Sequence, residues 1–360
     1  MEIQQDCMEI PQESMENTNE EQEKHNFTKV FKTFQCYREY WLKVMNKKEV
    51  FAAENMPQGR KGQYFAHLQE LKKRVESNQQ FFWHVLREFP FDEAGFTDYL
   101  HRNLNKTLPY SQDPIKAVFK QLVREWSKEG EAERSTSFTP IIDEVKAQFK
   151  HRKKVDILVP GAGLGRLPYE LAHAGYTAEG NEFSLFFSFA SNLIMNGCTK
   201  CCEYEIFPYI HSFDNVVKNE DQVTPVSLPD ILPKIPSSGL SMTCGDFVEV
   251  YSKLSEQFDC VATCFFIDCV PNTLQAIKVI YQNLKPGGLW VNNGPLKYHF
   301  DETESNSSIQ LSREDLREVI VDTGFIFKTE KEITATYAEN ARSMAKSHYQ
   351  NWFFSCQKPS

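Results

Sequence analysis

A glycine run between an apolar strand and a helix limits the folds open to this chain more than any other feature. Gly161-Ala-Gly-Leu-Gly165 follows the apolar segment Val155–Val159, and a helical pattern begins near Leu167. Because glycine has no Cβ, the backbone of such a loop can approach a ligand closely. A strand, a glycine loop and a helix in this order are the context in which nucleosides and dinucleotides bind. A plain tight turn would use the same residues, so the loop alone does not decide the function.

From Val155 onward, short apolar strands alternate with helices. Six further strands are predicted after the first, at Thr177–Glu182, Leu240–Cys244, Phe258–Ile267, Leu289–Asn293, Ile326–Ile333 and Trp352–Gln357. This alternation predicts a mostly parallel sheet with helices on both faces. No long helix is predicted between the last two strands, which favours an antiparallel edge. The fold class is therefore α/β, with a Rossmann-like, seven-stranded domain over residues 151–360.

Three segments stand apart from that alternation. Residues 1–25 are rich in Glu, Gln, Asn and Ser and lack apolar periodicity, which predicts a disordered acidic tail. Residues 26–150 show helical periodicity that Pro90 and Pro109 interrupt, which predicts an N-terminal helical region. Residues 198–239 contain several prolines and are long for a connection, so we interpret them as an insertion that carries part of a site.

Composition narrows the classes of partner. Lys and Arg total 40 against 49 for Asp and Glu, giving a net charge of -9, so we expect no nucleic acid partner. No apolar stretch approaches the roughly 18 residues that span a bilayer, and the N-terminus lacks a secretory apolar segment. Cys198 and Cys201 form a lone CxxC pair, so no metal is predicted. We expect a reduced, intracellular protein in the cytoplasm. Whether it also enters the nucleus, and whether it forms a homodimer, stays open.

Residues at predicted strand ends favour a nucleoside cofactor. Glu182 lies 21 residues past Gly161, at the end of the second strand, where a carboxylate can accept hydrogen bonds from ribose hydroxyls. Asp246 and Phe247 end the third predicted strand, where they can contact an adenine amino group and ring. The backbone near Cys264 would form the pocket floor. The carboxyl ends of parallel strands meet at one edge of a sheet, and ligands bind there in open α/β sheets.

The order of these motifs resembles that of class I methyltransferases, which use S-adenosylmethionine (SAM) and release S-adenosylhomocysteine (SAH). The resemblance includes the turn Leu284-Lys-Pro-Gly-Gly288 before a late strand. A nicotinamide dehydrogenase is the main competitor for the glycine loop, but that turn and the antiparallel end favour the methyltransferase. Cofactor-binding residues implied on this basis are Gly161, Gly163, Glu182, Asp246, Phe247 and Cys264.

Two further stretches mark a substrate side. Asp268 leaves the apolar strand in Cys264–Asn272, and His299 follows the next strand in Asn292–Phe300. Each has an ordinary alternative, since Asp268 can cap a helix or face solvent and a lone histidine is commonly structural. On facing strand ends, however, a carboxylate and an imidazole can together hold a polar, protonatable substrate.

Together with the glycine loop and Glu182, these stretches closely resemble the carnosine N-methyltransferase family, from about Phe27 to the C-terminus. Members transfer a methyl group from SAM to the imidazole of carnosine, giving anserine, and carry a helical region ahead of the Rossmann-like domain. The resemblance implies that this region caps the cofactor through Gln121 and Arg124, with Arg124 near the methionyl carboxylate. It further implies a substrate site built from Asp268, His299, Tyr337 and Tyr349, with Tyr298 and Tyr209 as alternative tyrosines.

The chemistry implied by this resemblance needs position and electrostatics above all, because the SAM sulfonium is already activated. Asp268 accepting one imidazole N–H would fix the tautomer and stabilise the developing imidazolium, while His299 orients the ring or shares the proton. Two alternatives stay open: methylation of a histidine or another nucleophile in a protein or peptide, and a SAM-binding scaffold without catalysis. An open acidic groove favours the protein substrate, and a closed aromatic pocket favours the dipeptide.

Overall fold

Helices form the first part of the chain in the computed structural model, which describes residues 12–89, 111–152, 154–298 and 308–360. The described helices ahead of the sheet are α1 (Gln12–Gln35), α2 (Tyr37–Asn55), α3 (Gln58–Glu88), α4 (Asp113–Trp126), α5 (Glu131–Ser137) and α6 (Thr139–Gln148). None of the helices in the described ranges is both long and apolar enough to cross a membrane.

Strands and helices then alternate. The sheet strands and the helices between them are β1 (Asp156–Pro160), α7 (Arg166–His173), β2 (Thr177–Glu182), α8 (Leu185–Asn192), β5 (Leu240–Cys244), α10 (Phe247–Tyr251), β6 (Phe258–Cys264), α11 (Thr273–Asn283), β7 (Leu284–Gly294), α12 (Arg313–Asp322), β8 (Ile326–Ala335) and β9 (Tyr349–Gln357). A π-helical turn, Leu193–Gly197, extends α8. The insertion contributes β3 (Tyr204–Ile206), α9 (Asn219–Gln222) and β4 (Val226–Leu228), and β3 and β4 pair as a small antiparallel sheet.

The seven-stranded sheet has the order β5-β2-β1-β6-β7-β9-β8. Neighbouring strands from β5 to β7 are parallel, and β9 runs antiparallel to both β7 and β8. The predicted seven-stranded, mostly parallel sheet with an antiparallel end is therefore confirmed. The parallel strands bring the ends of β1, β2, β5, β6 and β7 to one edge, which is where the glycine loop and the predicted site residues follow.

Alternation along the strands distributes their side chains between two layers of core. Ile157 and Val159 of β1 pack with Ile141 and Val145 of α6 on one face. Leu158, between them, packs on the opposite face among residues of α11 and α12. Successive side chains of a strand point to opposite faces, and both faces here are covered by helices. Helix α6 therefore covers the sheet although it precedes residue 151, the start predicted for the Rossmann-like domain.

Helix α1 extends into the segment predicted as a disordered tail. It begins at Gln12 and runs through residue 25 without interruption. The absence of apolar periodicity suggested disorder there, but Glu, Gln, Met and Lys are good helix formers, and the apolar second half of α1 anchors the helix. That half buries Val30 and Phe34 in a third core cluster, which joins the N-terminal helices to α8 and the insertion.

Candidate active site

The glycine loop turns tightly between β1 and α7. Gly161, Gly163 and Gly165 have φ angles of +65°, +60° and +83°, which L side chains rarely adopt. A Cβ on Gly163 would lie 2.3 Å from Glu125 Oε1, so the loop backbone passes directly against helix α4. The Gly163 N–H donates to Glu182 Oε2 at 2.8 Å. The loop and the strand-end acid predicted from sequence are thus in contact.

Glu182 ends β2 with its carboxylate turned toward the loop. Its Oε1 accepts the N–H of Ser184 at 2.8 Å, and the residue is 9% exposed. Burial raises the pKa of Glu182 to about 7. A carboxylate at this strand end can accept hydrogen bonds from the two hydroxyls of a ribose, and that role of Glu182 stays a prediction.

Asp246 and Phe247 follow β5 at the start of α10. Asp246 caps this helix, because its Oδ1 accepts the N–H of Val248 at 2.8 Å and of Glu249 at 3.0 Å. Both bonds use Oδ1, so Oδ2 can accept from an adenine amino group. The Phe247 ring is buried, with its centroid 5.4 Å from that of Phe266. Its backbone N–H lies in the first turn, where helices offer no internal acceptor, and so can reach a ligand.

Arg124 reaches the sheet edge from helix α4. Its Nε donates to Glu133 Oε1 at 2.6 Å, and its Nη2 lies 3.9 Å from Cys264 Sγ. The guanidinium carbon also lies 4.7 Å from the centre of the Tyr337 ring. Other N–H groups of the guanidinium can then pair with a ligand carboxylate, the role that the family resemblance implies.

Gln121 and Glu125 lie one turn apart on the same helix. Gln121 Nε2 donates to Glu125 Oε1 at 2.5 Å, and both residues are buried. Glu125 also accepts the loop N–H groups of Leu164 at 3.1 Å and Arg166 at 3.0 Å. Sequence reasoning missed Glu125 as a site residue. The available signal was the unusual density of polar residues on this amphipathic helix.

Asp268 lies just beyond β6 and is 2% exposed. Its Oδ2 accepts the backbone N–H of Lys297 at 2.8 Å, so it connects the segments that follow β6 and β7. The Cys269 thiol lies 3.7 Å from Oδ1. It is therefore not a solvent-facing acid, one of the alternatives left open by the sequence, and Asn272 instead supplies the cap of α11. His299, its predicted partner, lies outside the described residues.

Phe265 lies at the centre of an aromatic group beside Arg124, whose guanidinium carbon is 5.2 Å from the centre of its ring. Its ring centroid is 5.0 Å from that of Tyr337 and 6.2 Å from that of Tyr349. Its φ of +53° is uncommon for a residue other than glycine, and such backbone angles concentrate at functional sites. The two late tyrosines named from the family resemblance thus both lie near the Phe265 ring, and Tyr337 also lies beside Arg124.

The alternative tyrosines have different surroundings. The Tyr298 hydroxyl donates to Leu311 O at 2.7 Å and accepts the Leu311 N–H at 3.1 Å. It therefore links the segment after β7 to the segment before α12. Tyr209 is half-buried in the insertion and lines the same cavity as Tyr337.

That cavity has a volume of about 770 Å³, within the usual range for small-ligand pockets. It brings together residues from helix α4, the insertion, the end of β6 and the chain before β9. Its lining includes Gln121, Tyr209, Phe265, Asp268, Tyr337 and Tyr349. Within the described ranges, no group of three His, Cys, Asp or Glu side chains is arranged to hold a metal ion.

The insertion holds helix α4 in place through Asp230. Its Oδ2 lies 2.8 Å from Arg134 Nη2, and its Oδ1 lies 2.7 Å from Arg166 Nη1. The two guanidiniums also donate to backbone carbonyls at the end of α4, those of Arg124 at 2.9 Å and Glu125 at 2.8 Å. Sequence reasoning missed this contact, because the three side chains come from distant segments of the chain.

Known proteins are similar in sequence to this chain over most of its length. A family model described as carnosine N-methyltransferase matches residues 102–360. The mouse (Mus musculus) carnosine N-methyltransferase is 37% identical over 349 residues, covering 94% of this chain and 87% of that protein. The protein of the same name from Schizosaccharomyces pombe is 32% identical over 366 residues, covering 94% of this chain and 97% of that protein.

Among solved structures, magnesium protoporphyrin IX methyltransferase from Synechocystis aligns at a TM-score of 0.37 with 12% identity, covering 76% of this chain and 96% of that one. The family model spans well over half of the chain, and the relatives align along nearly all of it. This chain belongs to the carnosine N-methyltransferase family.

Proposed function

We propose that this protein transfers a methyl group from SAM to the imidazole of carnosine, producing anserine and SAH. The observation that carries the proposal is the burial of Asp268 beside a cavity that also reaches Gln121. A buried carboxylate and the cofactor-side helix thus share one space. The names of the relatives supply the identity of the dipeptide.

The residues at the sheet edge fit SAM. Glu182 would hold the ribose, and Asp246 with the Phe247 N–H would hold the adenine. Gln121 and Arg124 would hold the methionyl group. Bound SAM supplies an activated methyl group, so the work left to the chain is to orient the substrate and exclude water.

Asp268 is suited to hold one nitrogen of the imidazole. The Lys297 N–H fixes the carboxylate, and each carboxylate oxygen can accept more than one hydrogen bond. By accepting the N–H of one ring nitrogen, Asp268 leaves the lone pair on the other nitrogen to attack. Its negative charge also stabilises the positive charge that develops on the ring, and the same carboxylate can take the N–H proton that the methylated ring gives up.

The aromatic lining favours a small substrate over a protein segment. Phe265, Tyr337 and Tyr349 form one wall of the cavity, next to Asp268. An imidazole can pack against such rings while its N–H groups meet polar partners. A histidine in a folded protein would have to reach the same rings together with its backbone.

A competition experiment tests the substrate. The protein receives SAM together with equal amounts of carnosine, free histidine and a histidine-containing peptide, and mass spectrometry identifies the methylated species. We expect anserine as the dominant product. Preferential methylation of the peptide would move the assignment to a peptide or protein histidine methyltransferase, and SAM binding without any product would support a scaffold.

A further inference from the structure

Glu125 is a buried carboxylate that receives hydrogen bonds from two directions. It is 1% exposed and lies on helix α4, facing the start of α7. From the glycine loop it accepts the N–H groups of Leu164 at 3.1 Å and Arg166 at 3.0 Å. From its own helix it accepts Nε2 of Gln121 at 2.5 Å. Burial raises the pKa of Glu125, and the hydrogen bonds that the carboxylate accepts oppose part of that rise.

This arrangement determines which way the Gln121 amide faces. Gln121 Nε2 donates to Glu125 Oε1, so the amide presents its NH₂ group to Glu125. The carbonyl oxygen, Oε1, is then turned away from Glu125. It accepts the Tyr337 hydroxyl at 3.3 Å, and Gln121 lines the cavity.

The methionyl end of SAM carries a carboxylate and an ammonium on the same carbon atom. Arg124, three residues beyond Gln121, suits the carboxylate. The ammonium has three N–H donors and no acceptor, so it needs hydrogen-bond acceptors around it. Gln121 Oε1 is a buried acceptor one helical turn from Arg124.

We propose that Glu125 is a positioning residue that holds Gln121 Oε1 toward the cofactor as the acceptor for the methionyl ammonium. Glu125 acts through Gln121 and does not itself touch the cofactor. The inference rests on SAM being the cofactor and is independent of carnosine being the substrate.

Comparing the affinities of two ligands distinguishes the positioning of Gln121 by Glu125 from its support of the glycine loop. SAH carries the complete amino-acid group, whereas 5′-methylthioadenosine carries only the nucleoside and a thioether. In Glu125→Gln, the new amide can donate to Gln121 and turn its carbonyl away from the cofactor. Calorimetry should show SAH affinity reduced about tenfold, the effect expected for losing a hydrogen bond to a charged group. The affinity for 5′-methylthioadenosine should stay unchanged, because one oxygen at position 125 still accepts from the loop.

Two further variants complete the experiment. Gln121→Leu leaves Glu125 and the loop in place and should show the same selective loss of SAH affinity. Glu129→Gln changes an exposed carboxylate close by and should leave both affinities unchanged. Equal weakening of both ligands in Glu125→Gln would show that Glu125 acts on the loop alone and would overturn the proposal. Unchanged SAH affinity in either Glu125→Gln or Gln121→Leu would overturn it as well.

Discussion

The guanidinium of Arg124 and the carboxylate of Glu133 form a buried ion pair, with Nε 2.6 Å from Oε1 and side-chain exposures of 4% and 8%. The same carboxylate accepts the backbone N–H of Ala338 at 3.0 Å and of Glu339 at 3.4 Å. These residues directly follow Tyr337, so one carboxylate connects the predicted cofactor-side arginine to the predicted substrate-side tyrosine.

Glu133→Gln should therefore weaken both ligands. The change keeps the size of the side chain but leaves the Arg124 guanidinium buried without its counter-charge. We expect the free energy of unfolding in urea to fall by about 3 kcal/mol. The KM values for SAM and carnosine should both rise, since Arg124 and the Tyr337 segment lose the same partner. A rise in the KM for SAM alone would contradict the shared role.

Cofactor affinity should depend on the ionisation of Glu182. Its pKa is raised to about 7 by burial, so in the unliganded protein the carboxyl is mostly protonated below that pH and ionised above it. Ribose hydroxyls donate to the ionised form, and a ligand binding below pH 7 must first displace the proton. SAH affinity should thus fall by up to about tenfold per pH unit on going from about pH 7 to pH 5.

Glu182→Gln is the matched control for that dependence. Its amide does not titrate, so SAH affinity should be lower at high pH but nearly constant across the range. The same pH dependence in Glu182→Gln as in the unmodified protein would assign the titration to another group.

Tyr298 and Tyr337 should differ in function, the first supporting stability and the second supporting ligand binding. Tyr298→Phe removes a hydroxyl that both donates to and accepts from the Leu311 backbone, so it should lower the free energy of unfolding by about 1–2 kcal/mol and leave kcat nearly unchanged. Tyr337→Phe removes a hydroxyl that faces Gln121 in the cavity and should chiefly raise the KM values. Unfolding curves and steady-state kinetics on both variants test this; a larger loss of kcat in Tyr298→Phe would reverse the assignment.

Asp230→Asn should destabilise the protein through the buried arginines that it holds. Arg134 and Arg166 would keep their backbone acceptors but lose their shared counter-charge. We expect a loss of about 3 kcal/mol in the free energy of unfolding and weaker SAH binding, because the two guanidiniums that hold the end of α4 are themselves less firmly fixed. Glu220→Gln, at an exposed position of the same insertion, is the control and should change neither quantity.

The fold could be predicted closely because its signals are local. Strands β2 and β5 have the bounds expected from sequence, Thr177–Glu182 and Leu240–Cys244. The three glycines of the loop have the positive φ angles that glycine readily adopts. The first half of helix α1, up to residue 25, was missed because a polar helical segment without an apolar stripe lacks the periodicity that reveals helices.

Site residues that directly follow a strand could be predicted from the sequence. Site residues whose contacts join distant segments of the chain could not. Asp268 could be placed at the sheet edge from its position alone. Glu125, Glu133 and Asp230 act on partners that can be far away in sequence, such as Leu164 for Glu125 and Ala338 for Glu133. No sequence spacing marks such contacts, and a buried glutamate looks like any surface glutamate in a helical pattern.

The central claim is tested most directly by incubating the purified protein with SAM and carnosine and measuring anserine by mass spectrometry, with Asp268→Ala in parallel. We predict anserine from the unmodified protein and a turnover lower by at least about 100-fold in Asp268→Ala, which should keep its affinity for SAH. Absence of anserine from the unmodified protein while SAH still binds would contradict carnosine as the substrate, and unchanged turnover in Asp268→Ala would remove Asp268 from the mechanism.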